Sequence, residues 1–149
     1  MLQGIGRIKP QSATRWMVFI FSVIVGLVGM EHAIGEIVQG DVVAEEVIIE
    51  SWPDNEHFRI MAGEPAMTII PNMRVTGIVA LVMSLITAIW GMVFVDRKGG
   101  GYILILLSIL LLLVGVCLGP PLIVIIVGAV ATRINKPRKL TVVRFADSE

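Results

Sequence analysis

Long runs of apolar residues alternate along this chain with more polar segments. The first run covers 16–38 (WMVFIFSVIVGLVGMEHAIGEIV), the second 74–95, the third 102–118 and the fourth 122–134. A helix needs about 20 apolar residues to span roughly 30 Å of hydrocarbon. The first two runs reach that length. The last two are shorter, so they are expected to begin or end at the interface. Between them stands Gly119-Pro120-Pro121. Glycine permits unusual backbone angles, and proline fits the first turn of a helix. This predicts a tight outer turn at 119–121, because one helix over 102–134 would overshoot the bilayer. The fold class expected is an all-α integral membrane protein, a single membrane domain over 1–149 with four transmembrane helices.

Residues 39–73 form the longest polar connection. VIIESW (47–52) and HFRIM (57–61) are β-rich and flank Pro53-Asp54-Asn55, which predicts a short β-hairpin. GEPAMTIIPN (63–72) carries two prolines, and these argue against helix. Trp52 and Phe58 are expected to help this loop cover the helix ends, either as a simple lid or as a docking surface for another subunit or an extracytoplasmic ligand.

Charge orients the thread. Arg7, Lys9 and Arg15 precede the first run, Arg97 and Lys98 lie in the turn 96–101, and Arg133, Lys136, Arg138, Lys139 and Arg144 accompany the end of the fourth run. The loop 39–73 instead holds Asp41, Glu45, Glu46, Glu50, Asp54, Glu56 and Glu64 with Arg59 as its basic residue. Cytoplasmic loops carry the excess of Lys and Arg. Both tails, 1–15 and 135–149, are therefore expected to be cytoplasmic and the acidic loop extracytoplasmic, in a multi-pass protein of the plasma membrane. The basic lead and Ala33-Ile34-Gly35 resemble a cleavable signal, but the first helix is expected to stay as an anchor.

Composition agrees. The chain is 56% hydrophobic and 16% charged, against about 45–50% and 25% in soluble domains. Cys117 is the single cysteine, which excludes an internal disulfide and any CxxC zinc motif. No basic patch interleaves with aromatics, so nucleic acid is not an expected partner. P-loop, GxSxG, HExxH and dinucleotide fingerprints are missing, and no cofactor is expected.

Small residues mark helix contacts. Thr76, Ala80, Ser84 and Ala88 recur every fourth position on the second helix and Gly91 extends the same side. Such spacing lets two backbones approach closely in lipid. The first helix offers Ser22, Gly26 and Gly29, the third Gly115 and Gly119, and the fourth Gly128 and Thr132. Contacts inside the bundle are expected from them ahead of a homodimer interface. LILLSILLLL on the third helix lacks such residues and should face lipid or a large partner.

The candidate chemistry lies at the end of the first helix, in MEHAIGEIVQG (30–40). His32, Glu36 and Gln39 share one helical face, with Glu31 on its flank. Glu31 is reached after about 22 Å and Glu36 after about 30 Å from Trp16, at 1.5 Å per residue. Ionisable groups at such depth usually turn inward and pair, or meet water. Three readings compete. Glu36 pairs with His32 or with Arg74, which enters the second helix at the same level. Alternatively, His32 and Glu36 ligate a metal with Glu31 or His57 as a third donor. In the third, the cluster relays protons or ions, or holds a polar ligand.

In layout, and in the phrases HAIGEIVQG, GEPAMTIIPN and LGPPL, the chain resembles the short four-helix integral membrane proteins of prokaryotes. That resemblance implies the four-span fold and transfers no site residues. The expected role is an accessory or interaction subunit of a larger membrane protein, or a structural homo-oligomer, in the lipid bilayer. The alternative is an ion- or small-ligand-binding, transport-related protein using Glu31, His32 and Glu36, with Gln39 and Arg74 nearby. A metal-dependent membrane enzyme ranks third.

Overall fold

The computed structural model describes residues 10–50 and 64–134. These are mostly helical. Helix α1 spans Pro10–Gln39, α2 Met73–Ile89, α3 Gly100–Leu113 and α4 Gly119–Ala131. Three short strands, β1 (Ile48–Glu50), β2 (Pro65–Thr68) and β3 (Val114–Cys117), form one sheet in the order β1-β2-β3. Ala13–Gln39 and Met73–Phe94 are long and apolar enough to cross a membrane.

Helix α1 opens on a proline, whose fixed φ suits a first turn, and stops where Gly40 turns to φ +85°. Asn72 caps α2, its side-chain oxygen accepting from the Val75 amide at 3.0 Å. A π-helical turn, Trp90–Phe94, continues α2. The Trp90 indole there donates to the Gly100 carbonyl at 3.0 Å, tying α2 to the start of α3.

Small residues line the contact between α1 and α2. Ser22, Ala33, Thr76, Ala80, Ser84 and Ala88 are buried. The expected stripe on α2 is thus the face that meets α1. A Cβ built on Gly26 would lie 2.6 Å from the Ala88 Cβ, and one on Gly77 would lie 2.5 Å from the Ala33 carbonyl oxygen. Side chains built on Gly29 and Gly91 would run into Ser84 and Ser22. Backbones at this separation gain van der Waals contact along their whole length. The α3–α4 pair repeats the device: Gly128 packs against Ile105 and the Gly101 carbonyl, and the Ser108 hydroxyl donates to the Pro121 carbonyl at 2.8 Å.

The helices bring like charges to the same end. Arg15 pairs with Asp96 at 2.8 Å. Arg97 follows in the turn, stacked over Phe94, and Arg133 follows α4. The sheet covers the opposite end, with Asp41, Glu45, Glu46, Glu50 and Glu64 in or beside it.

Two connections differ from the sequence expectation. The third apolar run does not stay helical to Leu118: α3 stops at Leu113, and Val114–Cys117 is a buried strand. Gly115 sits at φ +93°, in the left-handed region that glycine enters without steric cost. Valines on either side favour extended backbone. The segment then pairs with β2, Ala66 opposite Cys117 and Thr68 opposite Val114, with a register shift between. The connection between α3 and α4 is therefore this strand, whereas Gly119-Pro120-Pro121 is the first turn of α4. The second difference is the partner of β1. Ile48–Glu50 does form a strand in the expected first arm, but it pairs antiparallel with Pro65–Met67, inside the stretch 63–72 whose prolines argued against helix. Pro65 is compatible because it opens its strand. The expected second arm, 57–61, lies outside the described residues, as do Trp52 and Phe58.

Candidate functional site

The last turns of α1 carry the expected polar face under the sheet. His32 has 0% and Glu36 2% relative exposure, and Gln39 is half-buried with its amide nitrogen enclosed. Helical periodicity explains the shared direction, since positions 32, 36 and 39 stack on one side. Glu31 falls off that side and is exposed. Of the expected cluster, the structure thus gathers His32, Glu36 and Gln39 inward and leaves Glu31 out.

Arg74 does not reach this interior. It is exposed and bonds Asp41 at 2.7 Å, and Asp41 also accepts weakly from the Asn72 amide at 3.4 Å. This exposed group ties the end of α1 to the start of α2, and the backbone reinforces it, Arg74 donating to the Gly40 carbonyl at 3.0 Å. The ion pair foreseen between Glu36 and Arg74 is replaced by this one. His57, the other candidate donor, lies outside the described residues.

Glu36 instead lies against strand β3 and α2. A Cβ on Gly115 would collide with the Glu36 carboxylate and with the Thr76 methyl. Gly115 therefore makes the space that the carboxylate occupies. Beside it runs a hydroxyl seam: the Thr68 and Thr76 hydroxyls lie 3.1 Å apart, and Thr76 donates to the Ile70 carbonyl at 3.2 Å. Glu36 Oε2 is buried with no hydrogen-bond partner among the described residues. Burying a carboxyl in this way is costly unless a proton, an ion or a ligand compensates it.

His32, one turn earlier, meets two residues that sequence reasoning left aside. Glu64, immediately before β2, and Cys117, at the end of β3, offer ligand atoms that lie within 4.8 Å of each other and of a His32 ring nitrogen. His32 and Cys117 are buried, and Glu64 is exposed at the rim. The β2–β3 pairing makes the approach: Cys117 stands opposite Ala66, and the Leu118 amide donates to the Pro65 carbonyl at 3.3 Å. Glu64 and Cys117 thus become neighbours although the chain between them makes two helices. The available signal was Gly115, two residues before the single cysteine, as a site where a helix can stop.

The donors assembled are an imidazole, a thiol and a carboxylate, beside a second, enclosed carboxyl. Such a set can hold a cation or exchange protons. No family model, curated protein or solved structure matches the chain.

Proposed function

We propose that the protein is a small multi-pass membrane protein of four spans, with both termini cytoplasmic and the sheet on the extracytoplasmic side. We further propose that it serves as an accessory or interaction subunit, or as a structural homo-oligomer, rather than as an enzyme. The observation that carries this reading is the set of large apolar side chains left exposed on the helices. Ile24, Leu27, Val82, Leu85, Leu106 and Ile126 are all exposed, while α1 and α2 meet largely through Gly, Ala, Ser and Thr. Lipid, or an apolar partner, is the surrounding that such a surface fits. The basic residues at one end support the orientation. Helices α3 and α4, of 14 and 13 residues, are each about 20 Å long. Strand β3 adds up to ~13 Å to the α3 crossing, which helps a short helix serve as a span.

Native mass spectrometry of protein gently extracted from its own membranes tests the role. A larger polypeptide bound in fixed ratio, or a defined homo-oligomer, is expected. A strictly monomeric chain would refute the interaction reading.

A second reading, ion or small-ligand binding at the sheet end, is supported by the convergence of His32, Glu36, Glu64 and Cys117. Buried ionisable groups at membrane depth usually mark a functional site. Glu31 is exposed on the flank of this group.

A further inference from the structure

We propose, building on the ion-binding reading, that His32, Glu64 and Cys117 form a site for one transition-metal ion of the zinc class, at the sheet-covered end of the bundle. Three segments distant in sequence supply one donor each, and the ligand atoms lie within 4.8 Å of one another. Zinc bonds of about 2.0–2.3 Å place tetrahedral ligand atoms roughly 3.3–3.8 Å apart. The group therefore needs to close by at most about 1.5 Å. Glu64 is the member free to make that movement, because it is exposed and precedes the first residue of β2. His32 is carried on a long helix and Cys117 in a paired, buried strand, so two of the three donors are positioned before an ion arrives.

The donor types choose the metal class. Calcium takes 6–8 oxygen ligands, and magnesium an octahedron of oxygens; one carboxylate beside a thiol and an imidazole does not suit them. Nitrogen, sulfur and a single carboxylate oxygen suit zinc and its borderline neighbours. Three protein ligands are also the number that leaves a fourth position for water or an incoming ligand. On binding, the Cys117 S–H bond breaks, the sulfur electron pair goes to the metal and the proton leaves to solvent. Glu36 has the helical spacing of a ligand but stays outside this group, its carboxylate resting against Gly115 and Thr76.

Cobalt(II) titration of the purified full-length chain in detergent, followed by zinc competition, tests the site. One cobalt per chain is expected, with four-coordinate visible absorption and a near-ultraviolet sulfur-to-cobalt band, both displaced by zinc. Cys117→Ser should abolish the sulfur band. Glu64→Gln, at an exposed position that leaves folding intact, should weaken binding at least about tenfold, since even outer partners of metal ligands carry 10–100-fold effects. Cobalt bound without a sulfur band, and equally by Cys117→Ser and Glu64→Gln, would overturn this donor set while leaving an ion-binding protein. Failure to retain either cobalt or zinc at one equivalent would overturn the site and the ion-binding reading together.

Discussion

Gly115→Ala adds a single methyl group, yet two independent costs meet there. The residue sits at φ +93°, where an L side chain is strained by about 1–2 kcal/mol. The new Cβ would also collide with the Glu36 carboxylate and the Thr76 methyl. Overpacking of a filled interior typically costs about 1–3 kcal/mol. Together these give a destabilisation of roughly 2–5 kcal/mol. Reversible unfolding in mixed micelles, followed by circular dichroism, measures the loss. A double-mutant cycle with Glu36→Ala isolates the carboxylate's share, because it removes that contact and leaves the backbone strain and the Thr76 methyl in place. In that background Gly115→Ala should cost less, with a coupling of about 0.5–3 kcal/mol between the sites. If Gly115→Ala unfolds with the parent, β3 does not turn at Gly115 as described. If it is destabilised without coupling to Glu36, the carboxylate does not occupy the space that glycine opens.

Two further substitutions probe the contacts that order the bundle. Ser84→Leu forces a large side chain toward Gly29 and should loosen the α1–α2 pair by several kcal/mol, on the order expected for core overpacking and backbone separation; unchanged thermal stability and oligomeric state would remove the small-residue packing argument. Asp41→Asn breaks the ion pair with Arg74, but both partners are exposed, so the cost should stay below about 1 kcal/mol and shrink as salt is added. A loss of several kcal/mol, independent of salt, would mean that this contact is shielded from water.

What was readable in the sequence follows from which structures leave a periodic trace. The face shared by His32, Glu36 and Gln39 was readable because 3.6 residues per turn forces those positions together. The stripe Thr76, Ala80, Ser84, Ala88 was readable for the same reason, whereas its partner, α1, is seen only in the structure. Strand β3 left no comparable trace. LLLLVGVCL is apolar throughout, and a buried strand cannot be told from a buried helix when every position is apolar. Pairing with β2 then decided against helix, with Gly115 as the permissive residue. The prolines around β2 argued against helix, and Pro65 begins a strand, but nothing in that stretch named its partners. The approach of Glu64 and Cys117 to His32 was beyond sequence reasoning. It depends on the β2–β3 register, and a slip by one residue would turn Cys117 to the opposite face.

The sheet also has a bearing on biogenesis. Its first two strands belong to the connection between α1 and α2, and its third to the connection between α3 and α4. A ribosome delivers the first pair of helices long before the second. Until α3 and α4 have followed, β2 presents an unpaired edge, and an open edge invites association with other strands. Arrival of β3 closes that edge and brings Cys117 to His32 and Glu64 in the same step. A chain halted after α2 thus carries an open edge, and the assembled donor group exists only in molecules that contain the last helix pair.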